Sequence, residues 1–272
     1  MKLSQVAAQI YTVRDYLSDS AAFAQSMERL KKIGYPAVEL IPSSTISDKE
    51  LAAICQDAGL AVAAAHVPGK TLLEQPQTIV EKLQTVGAKL GMYAFPGGVN
   101  LGSASEVNQL ADALQNAATV LAGAGLTLAY HNHAMEFSRL DGELVYDILA
   151  KRAPAMSFEF DTYWAQYGGV SPERWIQKLG TKLVSLHMKD YGVPSKHDDP
   201  PFMAEVGHGN LDFPVLVAEA EKVGCQWFVV EQDFTPGNPF DSLELSFRYV
   251  KEKLVGIGGE EWVKVNVTHP GS

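Results

Sequence analysis

Imidazoles and carboxylates close most of the short apolar runs in this sequence. PAVEL brings Glu39, AVAAAH brings His66, LTLAYHNH brings His131 and His133, and SFEFD brings Glu159 and Asp161. Further on, LVSLHMKD carries His187, Lys189 and Asp190, and WFVVEQD carries Glu231 and Asp233. Where such runs are neighbouring strands, their ends gather two histidines and two carboxylates: His131, Asp161, His187 and Glu231. A mixed nitrogen and oxygen shell suits Mn²⁺, Zn²⁺, Co²⁺ or Fe²⁺, with Mg²⁺ a poorer match because it prefers oxygen alone.

A divalent ion in such a shell can polarise a substrate carbonyl or hydroxyl and stabilise the enediolate left when an α-proton departs. The reaction needs a base, and His133 and Glu136, just past the fifth run, are candidates. Lys189 stands two residues after His187, so strand alternation points both side chains the same way. Its ammonium then holds a developing oxyanion or protonates a leaving hydroxyl, unless it is tied into an ion pair with Glu159 or Asp190. Glu39 and His66 read as substrate contacts, or else as hydrogen-bonding groups inside the sheet. Trp164, with Tyr163, Tyr11 and Phe234, reads as an apolar wall on which a substrate ring stacks, or else as part of the core. His208 sits in the glycine-flanked turn VGHGN, of a kind that can take an anion at a helix N-terminus. No matching glycine-rich turn follows WFVVEQD, which argues against a phosphorylated substrate.

Bringing these ends together requires parallel strands that converge on one mouth. The chain alternates eight apolar runs with eight stretches of helical spacing, from QVAAQIYT to DSLELSFRYVKEKL. Runs that are apolar at nearly every position suit a parallel sheet covered on both sides. Eight βα units in about 250 residues predict a single-domain (β/α)8 TIM barrel over residues 1–255, with a tail over residues 256–272. Glycines such as Gly34 and Gly224 end several helices. Ser47 is an N-cap, as is Asp241 or Ser242 before LELSF. TLLEQPQTIVEKLQTVG reads as one helix. The segment from Tyr191 to Asn210 reads as one long irregular loop, of the kind that forms lids or substrate walls. An apolar side of the tail, Trp262, Val263, Val265 and Val267, can dock on the barrel or on a second copy in a homo-oligomer, and that choice stays open.

Composition narrows the partners. Of 272 residues, 22 are basic and 32 acidic, a formal net charge of −10 that repels nucleic acid and anionic membrane surfaces. The two cysteines, Cys55 and Cys225, lie in separate apolar-periodic stretches and read as free buried thiols in a reducing compartment. No run approaches the roughly 18 apolar residues of a membrane span, and the N-terminal residues lack a secretory pattern. A cytoplasmic protein acting on a small molecule is expected.

The order of motifs resembles the xylose isomerase-like TIM barrel superfamily of sugar isomerases and epimerases, including ketose 3-epimerases and inosose dehydratases. AQIYTVRD, YHNHAMEF, FEFDTYWAQYGG, LHMKD, EVGHGNLDF and FVVEQD carry the resemblance, over residues 5–254. It implies metal ligands at His131, Asp161, His187 and Glu231, with Glu231 doubling as a base. Two positions depart from the ketose 3-epimerases: His131 replaces a glutamate that serves there as acid/base, and Trp164 replaces a substrate-contacting histidine. The YHNH strand is similar instead to inosose dehydratases and to enzymes acting on 3-keto-glycosides. A sugar isomerase or epimerase working by proton abstraction is the expectation, with a dehydratase or lyase as alternative and a non-catalytic sugar-binding barrel behind it. An endonuclease of the same superfamily would want a zinc cluster and a basic groove, at odds with the charge.

Overall fold

In the computed structural model, which describes residues 1–258, eight parallel strands close into a barrel. They are β1 (Val6–Gln9), β2 (Ala37–Leu40), β3 (Ala61–His66), β4 (Leu90–Tyr93), β5 (Thr127–His131), β6 (Ser157–Asp161), β7 (Leu183–Met188) and β8 (Trp227–Val230). Each pairs with its sequence neighbours and β8 returns to β1, which is the predicted (β/α)8 topology. The surrounding helices are α1 (Ser20–Ile33), α2 (Asp48–Asp57), α3 (Gly69–Glu74), α4 (Pro76–Val86) and α5 (Ala104–Gly123). They continue with α6 (Val145–Arg152), α7 (Thr162–Tyr167), α8 (Pro172–Leu179), α9 (Phe213–Lys222) and α10 (Pro239–Tyr249). Among the described residues no helix is long and apolar enough to cross a membrane.

Alternation along the strands divides the core. In β6, Phe158 and Phe160 are fully buried and pack outward in the main core, while Glu159 and Asp161 turn inward to His187 and Lys189. Ala7, Ala37, Ala129 and Val229 belong to small apolar clusters that both meet Trp227. Gln9, Glu39, His131 and Glu231 follow them at intervals of two residues, so the polar level is built one pleat above an apolar floor. Register shifts fall between Val38 and Glu39 and between Phe158 and Glu159. Such irregularities re-aim side chains, and here both precede an inward carboxylate.

Local chemistry explains the helix ends. Asp19 accepts from the Ala22 N–H to start α1, whose Phe23, Ser26, Met27 and Leu30 form its buried face. Gly34 ends it at φ 123°, with the Phe247 ring 2.6 Å from where a Cβ would stand. Ser47 caps α2 as expected, through the Glu50 N–H.

Several expectations change. The stretch read as one helix is two, because Pro76 pushes Gln75 out of the helical region to φ −141° and then opens α4 as its first residue. The last helix starts at Pro239, capped by Asn238 rather than by Asp241 or Ser242. Helix α7 is additional; Asp161 caps it through the Trp164 N–H, a role the sequence reading did not give it. The long loop is not wholly irregular, since Asp190–Gly192 pairs antiparallel with Phe202–Ala204. Ile257, inside the expected tail, is buried, and the Gly256 N–H donates to the Met1 carbonyl. Trp262, Val263, Val265 and Val267 lie outside the described residues.

Candidate active site

At the mouth of the barrel, one ligand atom each from His131, Asp161, His187 and Glu231 comes within 4.8 Å of the others, and all four residues are buried. His187 Nδ1 is 2.9 Å from Glu231 Oε2 and 3.8 Å from Asp161 Oδ2. His131 Nε2 is 3.9 Å from the same Asp161 oxygen. Asp161 splits its carboxylate: Oδ1 is spent on the cap of α7, while Oδ2 turns to the cluster, 3.1 Å from the Lys189 ammonium. Glu231 Oε2 has that ammonium at 2.7 Å as well as His187 Nδ1. Two imidazoles and two carboxylates that converge in one buried cluster are a donor set that fits a divalent metal.

A second group, Glu39, His66, Glu159 and His187, also lies within 4.8 Å. Its atoms largely contact one another. His187 Nε2 is 3.0 Å from Glu39 Oε1 and 3.2 Å from Glu159 Oε2, and His66 Nε2 is 2.7 Å from Glu39 Oε1. Gln9 Nε2 donates to Glu39, and Ser185 Oγ donates to Glu159 Oε1 at 2.8 Å. Glu159 Oε2 also stands 3.4 Å from His131 Nδ1. A His187 ring that gives its Nε2–H to these carboxylates leaves the Nδ1 lone pair for a cation, the usual carboxylate–histidine–metal order. Glu39 and Glu159 therefore sit behind the histidines, and neither lines the mouth cavity. Glu39, expected either to touch substrate or to hydrogen-bond inside the sheet, contacts Gln9, His66 and His187 and is not in the cavity wall.

Lys189 pairs with neither Glu159 nor Asp190. Its ammonium lies 2.7 Å from Glu231 Oε2, 2.9 Å from Asp233 Oδ1 and 3.1 Å from Asp161 Oδ2. Burial disfavours its charge, but Asp161, Glu231 and Asp233 outweigh burial and raise its pKa well above that of an ordinary lysine. Burial likewise opposes a charged His66, yet Glu39 and Glu159 lift it to about 9. His187 rises for the same reason against its own burial. His133 goes the other way: burial, then the nearby Lys189 charge, lower it to about 4, so its ring is neutral near pH 7. Burial raises Asp161 to about 6 against the pull of Lys189 and His187.

The cavity above these groups is about 430 Å³ and includes Tyr11, His66, His133, Trp164, Lys189 and Glu231 in its wall. That volume is ordinary for a small-molecule site. His66 and Trp164, expected as substrate contacts, and His133, expected as a base, all line this cavity. Glu136 is not: it is buried, receives the Tyr130 hydroxyl and the His133 N–H at 2.8 Å each, and holds the His133 loop from beneath. His208 is exposed and outside the cavity wall. Its turn does bind an anion, but the anion is the carboxylate of Asp190, which accepts from the N–H groups of Gly207 and Gly209 at 2.9 Å and Leu211 at 3.1 Å. A side chain at Gly209 would meet that carboxylate at 2.4 Å. Asp233, given no role from sequence, lines the cavity and holds Lys189. Its signal was the two-residue step from Glu231, the same step that links Lys189 to His187.

A family model described as a xylose isomerase-like TIM barrel matches residues 27–253. The chain belongs to this family. A search of curated proteins gives no significant match. Among solved structures, a sugar phosphate isomerase/epimerase from Parabacteroides distasonis superposes with TM-score 0.75 at 20% identity, covering 91% of this chain and 94% of that one. An L-ribulose 3-epimerase gives TM-score 0.73 at 14% identity over 100% of both chains. A probable 3-DHS dehydratase from Bacillus anthracis gives 0.70 at 11% identity, covering 93% of this chain and 100% of that one. At these identities the likeness is one of fold. Members of this fold family therefore include proteins named for epimerisation and for dehydration.

Proposed function

We propose that the chain is a divalent-metal-dependent isomerase or epimerase of a keto-sugar or related polyol, acting by abstraction of a proton α to a carbonyl. The observation that carries this reading is the convergence of ligand-competent atoms from four buried residues, His131, Asp161, His187 and Glu231, beneath a cavity of sugar-accommodating size. Mn²⁺, Zn²⁺, Co²⁺ or Fe²⁺ match that donor set better than Mg²⁺. When bound, such an ion supplies Lewis-acid polarisation of a carbonyl. The chain's own residues do the rest. His133, neutral and with an unpartnered Nδ1, takes the proton, with Glu231 as the alternative base. Lys189, held by Asp233, donates to the oxygen on which negative charge develops. His66 and Trp164 orient the sugar from the wall.

One observation favours a second reading, dehydration or another β-elimination. The cavity presents a neutral imidazole and an ammonium rather than two free carboxylates, and Lys189 can protonate a departing hydroxyl as readily as it returns a proton to carbon. Incubation with keto-sugars and inososes in D₂O, with Mn²⁺, separates the readings by NMR. Solvent deuterium at the α-carbon with unchanged formula supports isomerisation or epimerisation, and loss of water supports elimination. No exchange with any substrate by metal-loaded protein contradicts proton abstraction altogether.

A further inference from the structure

A second depression, about 620 Å³, adjoins the mouth cavity and shares Trp164 and Phe234 with it as common wall. The rest of its lining is dominated by Tyr163, Tyr167, Pro201 and Phe202. Tyr167, Phe202 and Phe234 are 51%, 49% and 72% exposed, so three large aromatic side chains face solvent in one patch beside the proposed site. A patch of that kind marks a binding surface. Glu205 is the only charged residue in the lining, and its carboxylate accepts the Ser242 hydroxyl at 2.7 Å. A phosphate or carboxylate would meet repulsion there and no compensating cation. A second sugar unit would bring several hydroxyls to a wall of rings and prolines with few partners for them. The Trp164 Nε1–H, on the shared wall, is buried and unpartnered, one donor available to an oxygen linking two ring systems.

We propose that this groove holds a neutral, planar apolar substituent of the substrate, so that the chain accepts a glycoside of an aromatic alcohol whose sugar ring carries the keto group, and not only a free keto-sugar. The inference rests on the mouth cavity being the sugar site. Aromatic faces stack such a ring directly, and the shared Trp164 and Phe234 place it next to the sugar.

Calorimetric titration of the full chain with phenyl β-D-glucopyranoside, methyl β-D-glucopyranoside and cellobiose tests it, with Mn²⁺ content measured on the same samples. The expected result is a phenyl-over-methyl preference of about tenfold, the scale of one or two aromatic contacts. Tyr167→Ala and Phe202→Ala should each cut that preference to about threefold or less, since each removes one contact of that scale. Equal affinities, a preference for cellobiose, binding of neither glycoside, or a phenyl preference that survives both substitutions overturns the inference. So does a dimer in sedimentation that either substitution dissociates, because the groove is then an interface between copies. A chain that loads Mn²⁺ without the preference refutes this inference alone. A chain that keeps the preference but binds no metal refutes the metal-dependent function and leaves the groove assignment standing.

Discussion

Replacing Glu159 by glutamine isolates the contribution of a residue that touches no substrate. Its Oε2 stands 3.2 Å from His187 Nε2, 3.4 Å from His131 Nδ1 and 3.5 Å from His66 Nε2, so one carboxylate faces two proposed ligand rings at once. Glutamine keeps the shape and one acceptor for the Ser185 hydroxyl but removes the charge that fixes which ring nitrogen carries the proton. Loss of an outer partner typically weakens metal binding about 10–100-fold, roughly 1.4–2.7 kcal/mol. With two rings affected together, the upper half of that range is expected. Competition of Glu159→Gln against a chromophoric chelator for Mn²⁺ or Co²⁺ measures it, and the Co²⁺ absorption spectrum reports any change of ligand geometry. Circular dichroism checks that the barrel is intact. An affinity within about twofold of the parent chain, with an unchanged Co²⁺ spectrum, would refute the argument that Glu159 orients the ligands.

Other outcomes follow from the same geometry. Cys55 and Cys225 are 1% and 3% exposed and burial raises both thiol pKa values, Cys55 to about 12, so neither reacts with a thiol reagent in the folded chain and both react after denaturation; a fast native thiol contradicts the packing. Gly34→Ala places a Cβ against Phe247 at a φ of 123° and should cost about 1–3 kcal/mol in urea unfolding, whereas an unchanged midpoint shows that the turn relaxes. In chelator, where His66 is raised from 6.5 to about 9 and His187 shifts in the same direction, their stabilisation is full below pH 6.5 and is lost as pH climbs through 9; urea unfolding that is flat across that window denies the pairing with Glu39 and Glu159. His133→Phe should abolish α-deuterium exchange while sparing Mn²⁺ affinity, and loss of metal instead makes His133 a ligand.

The barrel was legible because each βα unit carries its own signals, a short apolar run and a helical period, with a glycine stop in several. The meeting of the four proposed ligand residues was legible for a related reason, since polar residues that end successive parallel strands must meet. What lay behind them was not. Glu39 and Glu159 face the histidines immediately after a register shift in each strand, and a register shift leaves no mark on one strand's sequence. Glu136 and Asp190 resembled site carboxylates, yet Glu136 accepts from the Tyr130 hydroxyl and the His133 N–H, and Asp190 from backbone N–H groups, which only the loop geometry reveals. The break in the third helical stretch is marked in the sequence by Gln75-Pro76, although the apolar spacing continues through it. The aromatic groove joins α7 to the hairpin strand Phe202–Ala204, two elements absent from the sequence reading, so no run of residues announced it.

Titration of the chelator-treated chain with Mn²⁺, followed by electron paramagnetic resonance, bears most directly on the claim that His131, Asp161, His187 and Glu231 form a metal site. The expected result is one tight Mn²⁺ per chain, lost in Asp161→Asn and in His131→Gln, with both variants still folded. No tight Mn²⁺ in the parent chain, or a site that survives both substitutions unchanged, would contradict it.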